Sequence, residues 1–336
     1  MEARRRGSRL EEERQAQDFR ALVQEELGQV ELFLRDCCAQ SGVALIEDVW
    51  EHLLQVPGKR LRPALLLLAA RAHGEIRPPC VMAVAVVEMI HTATLIHDDV
   101  VDKATVRRGQ PTVNQRWHDG IALMMGDFLY SKAFQLFTAA GLDREMAVLA
   151  QATNRMSVAE MMQFQYHARL DMQEEEYLLL IQEKTAALIE AACVLGGLLG
   201  GGRSVQAIAR YGTHVGLAFQ ITDDLLDYLG DAFVVGKPVG NDLREGKVTL
   251  PLITALRNAP AAGRAGMELA IRSGEIFAGQ WDRMIHFVHT HGGIDAALDR
   301  AGSYGERAKR ALLELPDSPE REALADAADF IVHRCS

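Results

Sequence analysis

The chain has 336 residues, 49% of them hydrophobic and 24% charged, and a formal net charge of −10. This is ordinary globular composition, with enough apolar residues for a large core. The acidic balance argues against nucleic acid as a partner, which wants basic surface, but leaves anionic substrates open wherever local cations and metal ions supply positive charge.

Residues 1–20 are charged throughout and carry no apolar h-region, so they do not read as a signal peptide. Residues 1–16 are expected to form a charged, mobile N-terminal segment. Phe19, Leu22, Val23, Leu27, Val30, Phe33 and Leu34 then recur mostly three and four apart, which predicts an amphipathic helix. Further helices are predicted over 61–73, 79–97, 121–139, 144–165, 174–199, 205–229 and 250–257. Three shorter ones follow Gly292, broken at Leu315-Pro316-Asp317-Ser318. Several are apolar on more than one face, which places them inside a bundle. Breaks fall at Val56-Pro57-Gly58, Pro78-Pro79, Arg108-Gly109-Gln110-Pro111, Gly200-Gly201-Gly202, 230–240 and 258–266. Strand signals are nearly absent. Length alone would allow two domains, but nothing in the middle reads as a linker, so one all-α domain over 1–336 is expected. The longest uncharged apolar stretch, 191–202, falls short of the roughly 20 residues that span a bilayer. No transmembrane segment is expected, and any membrane contact is peripheral. Cys37, Cys38, Cys80, Cys193 and Cys335 are odd in number and show no CxxC or Cys/His ligand spacing, which points to a reduced, cytoplasmic protein.

Two DDxxD clusters, Asp98-Asp99-Val100-Val101-Asp102 and Asp223-Asp224-Leu225-Leu226-Asp227, carry the chemistry. Residues four apart share a helix face, and like charges at that spacing destabilise a helix by a few tenths of a kcal/mol. Both clusters sit among apolar neighbours (Leu95, Ile96, Ile221), where unpaired carboxylates are costly. One such cluster is readily a solvated acidic face. Two, each inside an apolar run, call for something to neutralise them, and oxygen-only ligands point to Mg²⁺. Magnesium is commonly held by one or two carboxylates plus substrate phosphates, an arrangement that stabilises charge growing on a diphosphate leaving group.

Cations lie near the same motifs: Gly58-Lys59-Arg60-Leu61-Arg62-Pro63, Arg107-Arg108-Gly109, Lys184-Thr185, Gly236-Lys237-Pro238 and Glu245-Gly246-Lys247. Each alone is weak, because a Lys or Arg is usually a solvated charge. Together they point to more than one phosphorylated ligand. With Glu88 through Asp102, Gly126-Asp127-Phe128-Leu129, and Gly216 through Asp224 in the same order, the sequence resembles the trans-isoprenyl diphosphate synthases, also called polyprenyl synthetases. The similarity covers most of the chain and is in the manner of the longer-chain branch, the octaprenyl and solanesyl diphosphate synthases.

That resemblance implies an all-α bundle around a central cavity, of the isoprenoid synthase type, with the two clusters facing each other across its mouth. It implies a reaction in which an allylic diphosphate ionises, the alkene of isopentenyl diphosphate attacks the carbocation, and a proton is lost to the departing diphosphate. Carried over residue by residue, Asp98, Asp102 and Asp223 bind Mg²⁺, three ions per site with diphosphate bound, and Asp99, Asp224 and Asp227 support them. Lys59, Arg62, His91 and Arg108 hold isopentenyl diphosphate. Arg107, Lys184, Thr185, Gln220 and Lys237 face the allylic diphosphate or its developing cation, and Lys247 joins them. Lys184 and Lys237 count among the catalytic residues. His91 on its own would read as a core histidine, and only the resemblance lifts it. Lys103 and Ala159 depart from the family pattern, where an acidic residue and a glycine are commoner.

In the family the growing chain runs along the helix before the first cluster. Ala93 and Thr94, one turn upstream of Asp98, are small where short-chain members often place aromatic plugs, which implies a product of about C30–C50, used for quinone side chains. Met124, Met125, Phe128, Phe134 and Phe164 are wall candidates that read equally as core. A homodimer is the family expectation. Other readings are a short-chain farnesyl or geranylgeranyl diphosphate synthase and a non-enzymatic subunit of a heteromeric synthase, against which both intact clusters argue. A terpene cyclase lacks the second DDxxD and the Lys59 and Arg62 pair. A di-iron bundle uses two ExxH motifs, and only Glu88–His91 fits one.

Overall fold

Helical periodicity becomes helix across nearly all of the residues that the computed structural model describes, which are 19–38, 41–55, 58–202, 205–229, 240–274, 276 and 279–335. Lys237 and the rest of 230–239 lie outside them. The described chain is all-α apart from one two-stranded hairpin. It divides into two compact units, one of Met1–Asn154, Leu188–Gly212 and Arg310–Ala327, the other of Arg155–Ala187, Thr213–Lys309 and Ala328–Ser336.

The first unit contains α1 (Gln24–Cys38), α2 (Ala44–Leu54), α3 (Leu61–His73), α4 (Pro78–Val101), the hairpin of β1 (Val106–Arg107) and β2 (Gln110–Pro111), α5 (Val113–Arg116) and α6 (Asp119–Ala139). Helix α4 packs against α6, α3 and α1. It can do so because it is apolar all round: Ala83 through Ile90 are buried without interruption. Two prolines open it, where a missing N–H costs nothing. Interrupted by Glu88 and, in its last turn, by Asp98 and Asp99, α4 is still long and apolar enough to cross a membrane, a longer run than 191–202, yet most of it is buried inside the fold. It is a core helix.

Helix α7 (Asp143–Gln165) is shared between the two residue sets, and the second unit then takes α8 (Glu174–Ile181) and a π-helical turn over Gln182–Ala186. The sequence predicts one helix over 174–199. The structure interrupts it with this π-turn before α9 (Ala187–Leu199). Next come α10 (Gln206–Leu229), α11 (Asn241–Arg244), α12 (Leu250–Asn258), α13 (Ala261–Arg272), α14 (Trp281–Thr290), α15 (Gly293–Leu312) and α16 (Pro319–Val332). Helix α12, buried from Leu250 to Leu256, packs against α14 and α8.

Two expectations are corrected. The stretch 258–266 is not simply a break, because α13 begins at Ala261 and is held by burial of Met267 and Ala270. After Gly292 there are two helices and a short 3₁₀ turn rather than three helices, because the segment around Pro316 is the one interruption between Gly293 and Val332.

Close approach of α9 to α3 within the first unit depends on missing side chains. A Cβ at Gly196 would collide with the carbonyl oxygen of Leu66, and one at Gly200 with that of Ala70. Backbone cannot yield as a flexible side chain can. Gly196→Ala is therefore expected to lower stability by about 1–3 kcal/mol through overpacking, read as a lower urea midpoint. Gly263→Ala, in an exposed helix with nothing near the new methyl, is expected to be neutral or to stabilise by up to about 1 kcal/mol.

Candidate active site

Helix α4 carries the first cluster in its last turn. Asp98 and Asp102, four apart, are half-buried, whereas Asp99 turns inward and is 5% exposed. Its carboxylate accepts a hydrogen bond from Nε of Arg107 at 2.8 Å. Asp102 caps the helix, and its N–H donates to Asp98 O. Lys103 follows in the left-handed region, at φ 52°. The N–H of Lys103 donates to Val100 O and that of Ala104 to Asp99 O, the two bonds of a Schellman ending. The lysine that departs from the family pattern is thus the residue that stops the helix at the cluster, and its charge suits a helix C-terminus. One residue before the cluster, the His97 ring lies against Gly126, filling the space a side chain there would need, with Nε2 3.7 Å from the Asp127 carboxylate. That explains the Gly126-Asp127 pair, a contact the sequence offered no way to predict.

The Arg-Arg-Gly motif is the turn of the hairpin. Arg108 and Gly109 have φ of 52° and 77°, as a two-residue type I′ turn requires at both central positions. Arg107 pairs with Gln110 in register and reaches Asp99, while the Arg108 guanidinium lies over Gly58, 3.0 Å from where a Cβ would stand. Arg107, expected toward the allylic diphosphate, is therefore engaged with the first cluster itself. Gly58, Arg60, Glu88, His91, Leu95 and Arg108 line a pocket. Burial, then the charges of Arg62, Arg108, Arg107 and Arg60, push the His91 imidazole well below its ordinary pKa. His91 is a neutral hydrogen-bonding group among guanidiniums, with Arg62 and Arg108 near enough for their charges to act on it. Lys59 is exposed on the same loop.

Arg60, between two predicted ligands, does something else. It sits at φ 52° and bridges Glu31 through two bonds, at 2.7 and 2.9 Å, and Glu88 at 2.8 Å. Two carboxylates from α1 and α4 thereby hold the loop that presents Lys59 and Arg62. Ala93 is fully buried, and the half-buried Thr94 turns its hydroxyl back onto His91 O at 2.8 Å. Among the proposed wall residues Met125 is buried, whereas Met124 and Phe164 are exposed.

In the second unit the π-turn widens the helix where Lys184 and Thr185 stand, a common device at functional sites. Nζ of Lys184 lies 2.7 Å from Glu160 and 2.9 Å from Gln163. The Thr185 hydroxyl donates to Gln220 Oε1, Gln220 Nε2 donates to Asp224 Oδ1, and the Tyr177 hydroxyl donates to Asp224 Oδ2, each at 2.7 Å. Burial raises the Asp224 carboxyl to about 7, against the lowering effect of these two donors, and Asp223 and Asp227 add to the rise. Asp223 itself is exposed, with the Arg334 guanidinium 3.6 Å away and stacked over Phe219. Asp227 accepts the backbone N–H groups of Asn241 and Asp242, both at 3.1 Å, so it anchors α11. Asp242, which the motif reading passed over, is a fourth carboxylate here. Burial and the charges of Asp224 and Asp227 push its pKa well up. Lys247 pairs with Glu245 at 2.5 Å.

Among the described residues no three His, Cys, Asp or Glu side chains converge as a ready metal cage. The donor set nonetheless fits magnesium: oxygen only, a half-buried i,i+4 pair in one cluster, and in the other an exposed carboxylate beside two whose crowding calls for a cation. A magnesium ion takes its remaining ligands from water and substrate phosphates.

Known proteins resemble this chain over most of its length. Residues 43–279 match the polyprenyl synthetase family model. The all-trans-nonaprenyl-diphosphate synthase (geranyl-diphosphate specific) of Rhodobacter capsulatus is 38% identical over 95% of this chain and 98% of its own. A short chain isoprenyl diphosphate synthase of Methanothermobacter thermautotrophicus is 39% identical over 84% and 89%. The crystal structure of a polyprenyl synthase from Caulobacter crescentus, complexed with calcium and isoprenyl diphosphate, superposes with a TM-score of 0.90 at 36% identity, covering 96% of this chain and 98% of that one. The chain belongs to the polyprenyl synthetase family and is a trans-prenyltransferase.

Proposed function

We propose that this enzyme condenses an allylic diphosphate with isopentenyl diphosphate, head to tail, to make a polyprenyl diphosphate of about C30–C50 for quinone side chains. The observation that carries this reading is the pocket lined by Arg60, His91 and Arg108, with the charge of Arg62 also acting on His91, because it offers a second anion site besides the carboxylate clusters. Arginine suits it as a forked donor to phosphate oxygens. A neutral His91 adds a hydrogen bond without adding charge.

Asp98, Asp102 and Asp223 would hold magnesium, three ions with diphosphate bound, and the metal would supply charge stabilisation to the leaving diphosphate. Asp99, Asp224 and Asp227 orient these carboxylates through the bonds described above. Lys184 and Thr185 on the π-turn, with Gln220, address the allylic diphosphate and the cation that develops as it leaves, as do Lys237 and Lys247. The alkene of isopentenyl diphosphate forms the new carbon–carbon bond as the allylic carbon–oxygen bond breaks. The proton lost from the adduct passes to the released diphosphate. The small pair Ala93 and Thr94 favours a long product. The enzyme is read as a cytoplasmic homodimer with peripheral membrane contact at product release. The exposed Val158, Met161 and Phe164, at every third position of α7, favour an apolar contact with a second copy.

Incubation of the purified chain with farnesyl and isopentenyl diphosphates and Mg²⁺ should yield products of about C30–C50 on chromatographic sizing. Products that stop at C15 or C20 would instead assign it to the short-chain group represented by the M. thermautotrophicus relative, and no condensation at all would favour a non-enzymatic subunit. Asp98→Ala and Asp223→Ala should each lower kcat by orders of magnitude while circular dichroism stays that of the wild type. Chelation should abolish turnover and added Mg²⁺ should restore it, and tightly bound iron on metal analysis would refute the magnesium assignment.

A further inference from the structure

The hydrogen bonds around Asp224 run in one direction only. Both oxygens of the Asp224 carboxyl accept, one from the Gln220 amide and one from the Tyr177 hydroxyl. The Gln220 amide turns its nitrogen to Asp224, which leaves its oxygen to face Thr185. The Thr185 hydroxyl must spend its proton on that oxygen and keeps only its lone pairs for anything else. The far oxygen of Asp224 is taken by the hydroxyl of Tyr177, itself 2% exposed. Burial, followed by the charge and hydrogen bond of Asp224, holds that phenol well above its ordinary pKa, so it stays a donor. Tyr177 and Thr185 belong to one continuous stretch, α8 and its π-turn, whereas Gln220 and Asp224 are four apart on α10. The four side chains thus close a clamp between the two elements.

We infer that Tyr177 is a positioning residue for the prenyl transfer, whose hydroxyl fixes Asp224 and thereby the orientation of Asp223, Asp227, Gln220 and Thr185. Asp223 and Asp227 lie one turn apart on one side of α10, and Asp224 lies round the axis from them. Holding Asp224 fixes the roll of this turn, so the exposed Asp223 carboxylate keeps one direction. The same bond sets the Gln220 amide and, through it, the hydrogen of Thr185. Tyr177 touches none of the reacting atoms. This inference rests on the reading that the second cluster serves a magnesium-bound diphosphate.

Calorimetric titration of inorganic pyrophosphate into the full-length protein at a series of Mg²⁺ concentrations tests it without turnover. Tyr177→Phe, which removes one oxygen and keeps the ring, should weaken magnesium-dependent pyrophosphate binding roughly 10–100-fold, the usual loss when an outer-shell partner of a metal ligand is removed. It should lower kcat and leave the KM for isopentenyl diphosphate unchanged. Asp224→Asn is the second variant and carries the test if Tyr177→Phe does not fold. It should weaken pyrophosphate binding similarly, and the double variant should be no weaker than Asp224→Asn alone, because the two act as one unit. Wild-type affinity and magnesium dependence in Tyr177→Phe, or in Asp224→Asn, overturn the positioning role, as do additive effects in the double variant. If pyrophosphate binding survives Asp223→Ala unchanged, the reading of the second cluster fails, and the inference fails with it.

Discussion

A carboxylate inside an apolar helix must find a donor or a cation, and each DDxxD cluster meets that demand in the same way. The second aspartate of each, Asp99 and Asp224, is 5% exposed and held by the protein's own donors. Arg107 serves Asp99, and Tyr177 and Gln220 serve Asp224. The first aspartate of each is left at least partly open to solvent, at Asp98 and Asp223. Helix geometry makes the division: positions one and five share a side, and position two lies round the axis from them. One buried anchor per cluster therefore orients its neighbouring carboxylates. Both clusters reach this state with unrelated donors, which agrees with the lack of residue-for-residue similarity around them.

Backbone strain gathers beside the same groups. Arg60, Lys103 and Arg108 all adopt φ near 52°, a region that costs a side-chain-bearing residue of order 1–2 kcal/mol. In each the strain serves the site. Arg60 turns the loop that presents Arg62, Lys103 ends α4 at the cluster, and Arg108 forms the hairpin tip above Gly58. Conformations of this kind persist where surrounding contacts enforce them, here the bonds from Arg60 to Glu31 and Glu88 and the Schellman pair at Lys103.

Much of this was legible beforehand. The helix over 61–73 matches its expected ends, and the helices over 119–139, 143–165 and 206–229 begin within two residues of expectation, because a strong apolar period with flanking Gly and Pro leaves little choice. The hairpin was not seen, since two-residue strands carry no alternation to detect. The π-turn was not seen either, as one widened turn barely changes a helical pattern. Helix α13 was obscured by Gly263 and Gly266, whose helix-breaking tendency lost to the burial of Met267 and Ala270.

For the site, the sequence by itself determined which chemistry is present: acids four apart, arginines and lysines near them, and a histidine one turn upstream of Leu95. Only the tertiary structure decided which acid turns inward and who meets it. Arg107 reaches Asp99 because a hairpin folds back onto α4. Tyr177 reaches Asp224 across 47 residues of chain. Arg60 becomes a brace instead of a phosphate ligand because Glu31 and Glu88 converge on it. Periodicity fixes angles around a helix axis. Which neighbour fills the space beside that axis, and so which charge loses its water, depends on packing between segments distant in the chain.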